Sequence, residues 1–274
     1  MTSPDASQLE ELGAFALDLV RQAGDIITPM FDDLPAVRDK SAAGEAFDPV
    51  TTADIAAEER IRELIAARYP DHGIRGEELP DKPANGPFTW IIDPIDGTRA
   101  FVYGLPVWMT LAALLHDGRP LIGAARQPVT GETYLGTPEG AWLFAKGRKR
   151  RLHTRKGRAL SQAMAGTTLP EIFVSPAQKR ALSAMQNRTL QLRFDADAYF
   201  YALLAAGRID IAFDTELNIF DIAAMIPIVR GAGGIITSWS GEENALEGDL
   251  LAAATPRLHA QALSAINDEE PPSG

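Results

Sequence analysis

The chain has 274 residues, 46% apolar and 23% charged, which is ample for a core and close to the length at which one core divides into lobes. Its formal net charge of −11 argues against a nucleic-acid backbone as partner, because phosphate contacts need clustered Lys and Arg. The absence of cysteine excludes disulfides, thiol nucleophiles and thiolate metal sites, and is compatible with a reducing cytoplasm.

The acidic start "MTSPDASQLEELGAF" lacks a basic, then apolar, leader pattern, so no signal peptide is expected. Leu9, Leu12, Phe15, Ala16, Leu19, Val20 and Ala23 recur at three-and-four spacing, predicting an amphipathic helix from about Ser7 to Met30. The polar stretch "KSAAGEAFDPVTTAD" reads as a loop, and a second helix with Ile61, Leu64 and Ile65 on one face ends near Tyr69 to Gly73. From Phe88 the pattern turns to short β-rich runs: "FTWIID", "WMTLAALL", "PLIGAARQP", "GETYLGT" and "GAWLFA", separated by Gly, Pro and Asp turns as in antiparallel strands. The basic cluster "KGRKRR", Lys146 to Arg151, reads as a solvated loop.

After Arg158 strands and helices alternate. "AMAGTTL", "LQLRFD", "IDIAFD" and "GIITSWSG" read as strands; "SPAQKRALSAMQ", "YFYALLAAG" and "DIAAMIPIVRGAG" read as helices, with a last helix from Pro256 to about Ile266 and a polar tail "NDEEPPSG". The fold class is therefore α/β, an α+β lobe followed by an α/β lobe, divided near Gly147 to Ala159. Residues 1–150 would carry most of the chemistry-bearing acids and residues 151–274 the last of them, as one integrated unit. No apolar run approaches the roughly 20 residues that span a bilayer, so a cytoplasmic protein with no membrane partner is expected.

Four acidic clusters stand out: "DPVTTAD" (Asp48 to Asp54), "GEE" (Gly76 to Glu78), "DPIDGT" (Asp93 to Thr98) and "FDIAA" (Phe220 to Ala224). Thr51 with Asp54 fits a helix capping box, Glu77 and Glu78 fit a surface turn, and Asp221 fits a helix cap. "DPIDGT" follows the buried-looking "WII", and two carboxylates there cost stability unless a cation neutralises them. Read alone, it allows a capped helix start or a metal site. Glu77, Asp93, Asp96 and Asp221, with the amides of Gly97 and Thr98, supply what Mg²⁺ and a phosphate need for metal-assisted phosphoryl transfer. There is no GxxxxGK[ST], HExxH or GxSxG, and the four histidines are scattered.

In order and spacing, "DPVTTAD", "GEE", "WIIDPIDGT" and "FDIAAMIPIVRGAGG" resemble the Mg²⁺-dependent inositol monophosphatase family, over roughly Phe15 to Leu263. The resemblance implies an α-β-α-β-α layered sandwich, a homodimer, and hydrolysis of a small phosphorylated substrate by water without a phosphoenzyme. It implies that Glu77, Asp93 and the Ile95 carbonyl hold a first Mg²⁺ and that Asp93, Asp96 and Asp221 hold a second. A third ion would lean on Glu77, and lithium would inhibit by taking the second site. Asp54 and Thr98 would position the attacking water, with Glu77 joining them in the catalytic set, and the Gly97 and Thr98 amides would receive phosphate.

Within the family, "DGTRAFVYGLPVWMTLAALLHDGRPLIGAARQPVTGETYLG" and "AAMIPIVRGAGGIITSWSG" are most similar to the histidinol-phosphate phosphatase branch. Asp96, Asp197 and Asp214 would contact substrate, Asp197 pairing with an amine, although a helix cap is an equal reading of Asp197. Three departures mark the pocket: the Gly-Gly-Asp-Cys-Tyr substrate loop is reduced to "DADAY", Trp gives way to Phe220, and Asp214 with Glu216 replaces a Glu-x-Gly pattern. Histidinol phosphate and myo-inositol 1-phosphate lead the candidates. A 3′-phosphoadenosine-phosphate or fructose-1,6-bisphosphate phosphatase, or a regulatory binding protein, are the alternatives; cations near Asp197 to Glu216 are few apart from Arg208.

Overall fold

Strand alternation explains how one sheet can serve two cores. In this computed structural model, which describes residues 4–33, 37–39 and 49–267, the chain opens with α1 (Ala6–Asp32), two short paired strands β1 (Val37–Asp39) and β2 (Pro49–Thr51), and α2 (Thr52–Arg68). A seven-stranded sheet follows: β3 (Gly73–Gly76), β4 (Phe88–Asp96), the short α3 (Thr98–Val102), then β5 (Met109–His116), β6 (Arg119–Gln127), β7 (Glu132–Thr137), β8 (Gly140–Ala145) and β9 (Arg148–Arg151). These strands lie in sequence order, antiparallel except for the parallel β3–β4 pair. On β4 and β5, Trp90, Ile92, Ala112 and Leu114 face the apolar stripe of α1 and the Ile61–Ile65 face of α2. Ile91, Met109, Leu111 and Ala113 face the other way, into a central core.

The second part supplies the remaining layers. Its elements are β10 (Met164–Thr167), α4 (Pro176–Arg188), β11 (Gln191–Phe194), α5 (Asp197–Ala205), β12 (Ile211–Leu217), α6 (Ile219–Ile222), α7 (Met225–Gly231), β13 (Ile235–Ser238), β14 (Gly248–Ala253) and α8 (Pro256–Ile266). The strands form a mixed sheet in the order β11-β10-β12-β14-β13. Phe200, Tyr201, Ile226 and Val229 of α5 and α7 fill the central core between the sheets. Leu182 and Met185 of α4 with Leu258 and Ala262 of α8 cover the far face of the smaller sheet. The layering is α-β-α-β-α, as expected.

Several elements differ from expectation. Residues 40–48 of the expected loop lie outside the described residues, and the rest form β2 and the first turn of α2. The basic cluster is not a loop: residues 148–151 form the edge strand β9, where Lys149 lies 5.0 Å over the Trp142 ring and 5.5 Å over that of Phe144. The "DIAAMIPIVRGAG" helix is two, α6 and α7, because Pro227 has no amide to offer the carbonyl of Ala223, where the chain breaks. Strands β3 and β14 carried no periodicity long enough to anticipate. Among the described residues no helix is long and apolar enough to cross a membrane.

The middle layer sits very close to the large sheet. A Cβ on Gly123 of β6 would overlap the backbone of Ala224, and one on Gly136 of β7 the backbone at Pro227 and Ile228. Gly123→Ala is expected to lower unfolding stability by ~1–3 kcal/mol in urea titration, the usual cost of overpacking. Gly86→Ala, whose added methyl meets nothing within 4 Å, should stay within ~0.5 kcal/mol of the parent.

Candidate active site

Regular alternation would send the side chains of Asp93 and Asp96 to opposite faces of β4. The β4–β5 register instead breaks between Asp93↔Leu111 and Asp96↔Met109, so that Pro94 and Ile95 oppose Thr110 in a bulge. Proline fits because a bulge asks no ladder donor of it, and Thr110 donates its hydroxyl to the Pro94 carbonyl at 2.9 Å. The extra residue brings both carboxylates to one side, where α6 adds Asp221. One oxygen from each of Asp93, Asp96 and Asp221 lies within 4.8 Å of the others.

Neighbouring elements grip these acids through single oxygens. Asp96 Oδ2 accepts the Ala198 amide at 2.9 Å, at the start of α5. Asp221 Oδ2 accepts the Asn218 amide at 2.7 Å, as the third residue of the α6 capping box. Asp54 Oδ2 accepts both the amide (2.8 Å) and the hydroxyl (2.7 Å) of Thr51, the N-cap of α2. The capping readings of Asp54 and Asp221 therefore hold, and each leaves a second oxygen outside the cap. Glu77 follows β3 directly, with its amide donating to the Ile92 carbonyl at 3.2 Å. Thr98 donates its hydroxyl to the Ile95 carbonyl at 2.9 Å, while Gly97 takes the left-handed φ of 81° that starts α3.

The electrostatics are those of an uncompensated anionic centre. Burial and then the charges of Glu77, Asp96 and Asp221 hold the Asp93 carboxyl well above its ordinary range. Burial, then Asp197 and Asp221, do the same to Asp96. Burial raises Asp221 to about 7, Asp197 to about 7 with help from Asp214 and Asp195, and Asp54 to about 6. Asp93 Oδ1 is buried with no hydrogen-bond partner. An orphaned carboxylate oxygen amid like charges, in an all-oxygen donor set, fits a hard divalent cation.

A cavity of about 310 Å³ opens beside this cluster. Glu77, Asp96, Gly97, Thr98, Asp197, Asp214 and Asp221 line it. Asp93 and Asp54 are not in its lining and are almost fully buried. Asp214 is held by the protein: Oδ1 accepts the Thr167 hydroxyl (2.8 Å) and the Thr168 amide (2.6 Å), and Oδ2 the Tyr201 hydroxyl (3.1 Å). Tyr199 points elsewhere, donating to Glu132 at 2.8 Å. Arg208 is not in the lining; the cation there is Arg99.

Arg99, Thr168 and Tyr201 are among the wall residues that sequence reasoning missed. Only Arg99, next to "DPIDGT", carried a positional hint. The departures from the family pattern acquire a structural meaning. Asp195 and Glu216 stand where glycines are usual, and both adopt left-handed backbones, with φ of 74° and 55°. Glu216 falls in a register shift between β12 and β14, its amide donating to Asp249 at 3.1 Å. Phe220 packs against the central core.

The chain is similar to known proteins along most of its length. Residues 8–270 match the model of the inositol monophosphatase family. The bifunctional phosphatase IMPL2 of Arabidopsis thaliana is 33% identical, over 95% of this chain and 76% of that protein. A histidinol-phosphatase of Chlorobaculum parvum is 32% identical, over 93% of this chain and 96% of the relative. The solved structure of an inositol monophosphatase from Zymomonas mobilis superposes with a TM-score of 0.81 at 33% identity, covering 96% of this chain and 99% of that one.

A carboxyl whose folded pKa exceeds its ordinary 3.8 binds protons more tightly when folded, so its contribution is complete below pH ~3.8 and lost as pH rises. For Asp221 the loss runs up through about 7. In thermal melts with a chelator present, Asp221→Asn is therefore expected to show a shallower fall in Tm between pH ~4 and ~7 than the parent. Mg²⁺ should raise the parent's Tm most at the upper end of that window. An unaltered slope in the variant would contradict the assignment.

Proposed function

The chain belongs to the inositol monophosphatase family of metal-dependent phosphatases, and from that premise we propose that it is a Mg²⁺-dependent phosphomonoesterase using water as nucleophile. The observation that carries the reading is the trio Asp93, Asp96 and Asp221, with oxygens within 4.8 Å and Asp93 Oδ1 buried unpartnered. Glu77, Asp93 and the Ile95 carbonyl would hold a first Mg²⁺, and Asp93, Asp96 and Asp221 a second, with a third leaning on Glu77. Bound there, Mg²⁺ would offset the carboxylate repulsion, neutralise phosphate charge and acidify water.

The chain's own groups do the rest. The Thr98 hydroxyl hydrogen is committed to the Ile95 carbonyl, so its oxygen is left to accept from the attacking water. Asp54, raised to about 6 by burial, is poised to take that water's proton near neutral pH. The amides of Gly97 and Thr98 receive phosphate oxygens where the chain turns into α3. Water adds its oxygen to phosphorus as its proton passes to Asp54, the P–O ester bond breaks, the leaving oxygen takes a proton from solvent, and the alcohol and inorganic phosphate leave, Asp54 returning its proton to solvent. In this reading residues 1–150 and 151–274 act as one cytoplasmic catalytic unit, the second part supplying Asp221 and the substrate loop. Pairing into a homodimer belongs to the same proposal; Tyr103 and Leu105, 79% and 40% exposed beside the cavity mouth, support it.

The substrate we favour is an alcohol phosphate bearing an amine, with histidinol phosphate ahead of inositol 1-phosphate. The cavity wall is rich in carboxylates, and among its described residues Arg99 is the one cation. A bisphosphate would find little there to hold its second phosphate. An ammonium beside Asp197 would lower that carboxyl from about 7 and keep it charged.

Two outcomes are expected. Asp93→Asn should lose Mg²⁺-dependent phosphate release by more than ~100-fold with unchanged circular dichroism, beyond the loss typical of residues that merely orient a ligand. Side by side, histidinol phosphate should give a higher kcat/KM than inositol 1-phosphate, and Asp197→Asn should narrow the gap. The opposite ranking would remove the amine assignment and leave the phosphatase chemistry standing.

A further inference from the structure

Glu58 is a fully buried carboxylate on α2, and its bonds run to the segment that follows Glu77. Its Oε2 accepts the Glu78 amide at 2.8 Å, and its Oε1 accepts the Leu79 amide at 3.2 Å and Arg62 Nε at 2.7 Å. Arg62, one helical turn on, donates its other two nitrogens to the carbonyls of Leu79 (2.8 Å) and Pro80 (2.9 Å). Two amides and two carbonyls of one turn are thus pinned to a single ion pair. On the near side, a Cβ at Gly76 would overlap the Glu58 carboxylate, so only glycine lets β3 end this close to it. Glu77 is caught between this grip and its own amide bond to the Ile92 carbonyl, one residue before Asp93.

The need for such a grip is electrostatic. Glu77 is exposed, and of all the charges acting on Asp93 its own is the largest. A free turn would swing Glu77 away from Asp93, Asp96 and Asp221 into water, and a cation arriving at the site would have to gather it back. Each bond from Glu58 and Arg62 resists that swing, and an ion pair with its hydrogen-bonding groups satisfied is stiff.

We propose that the Glu58–Arg62 pair is a positioning device for divalent-cation binding, holding the turn over residues 76–80 so that Glu77 stays at the carboxylate cluster. This rests on the reading that Glu77 contributes to a Mg²⁺ site. Glu58 is fully buried and outside the cavity lining; it acts through the backbone that carries Glu77.

The test is a Mg²⁺ titration of the full chain, followed by thermal melting and by calorimetry, for the parent, Glu58→Gln and Arg62→Met. Glutamine keeps the shape of Glu58 but turns an NH₂ toward one of the donors it must accept. The expected result is a ~10–100-fold weaker Mg²⁺ affinity, with kcat at saturating Mg²⁺ within a few-fold of the parent. A variant whose Tm falls equally with and without Mg²⁺, while its Mg²⁺ affinity stays within twofold of the parent, would show a merely structural pair and overturn the proposal. Should Glu58→Gln fail to fold, Arg62→Met decides by the same criterion, since Glu58 there keeps both amide donors. Failure of both to fold also counts against it, because the pair would then belong to the scaffold. Absence of Mg²⁺ binding by the parent protein is a separate outcome: it overturns the metal reading itself, and this inference with it.

Discussion

Like charge held at close quarters is the constraint on which the rest of this structure depends. Asp93 and Asp96 are 2% and 5% exposed, and their oxygens lie within 4.8 Å of each other and of Asp221. No apolar packing compensates that arrangement, and the raised pKa values of Asp93, Asp96 and Asp221 are its signature. The three acids come from two distant parts of the chain, so they meet only when both parts are folded and docked. The repulsion is therefore borne by the fold as a whole. The backbone bulge of β4, the first turn of α6 and the α5 amide at Ala198 each hold one acid against it.

That docking depends on how near the middle layer can come to the large sheet. Glycines at 123 and 136 let the backbones of Ala224, Pro227 and Ile228 rest directly on β6 and β7. Asp221 lies on α6, just ahead of those contacts, so its distance from β4 follows from the same close approach. Packing and chemistry are neighbours here: a methyl group added at Gly123 would overlap the backbone of Ala224, three residues after Asp221.

Much of this was legible in the chain, though not in the way the choice between cap and ligand suggested. Asp54 and Asp221 really are capping-box residues, and each spends only one oxygen on the cap. A motif reading treats the two roles as rivals; a carboxylate with two oxygens can serve both. The succession of an α+β lobe and an α/β lobe followed from the strand and helix patterns, whereas the α-β-α-β-α layering was implied by the family resemblance. What periodicity could not reveal was the bulge at Pro94 and Ile95, which reverses the facing of Asp96, because a bulge is a property of pairing between two strands. Strand β9 was hidden for a related reason: its residues face water, so its assignment rests on the ladder to β8 and on cations lying over Trp142 and Phe144. Asp195 and Glu216 looked like losses of glycine, yet the backbone keeps the left-handed geometry at both places and the side chains bear the strain.

Asp197 and Asp214 illustrate how one pocket can divide recognition between contact and field. Asp214, expected to contact substrate, lines the cavity, and its oxygens accept hydrogen bonds from Thr167, Thr168 and Tyr201. After burial, its charge is the largest influence raising Asp197. Asp197 in turn sits against Gly97, whose missing side chain makes room for it: a Cβ there would come within 3.1 Å of its Oδ2. An uncharged alcohol entering this pocket gains nothing from either carboxylate that water does not already provide. On the proposed reading a cation would gain from both, through contact with Asp197 and from the charge of Asp214, and by entering would relieve the repulsion between them. Selectivity for an amine would thus arise from the same physical condition that calls for metal a few ångströms away: acids placed where they cannot remain charged alone.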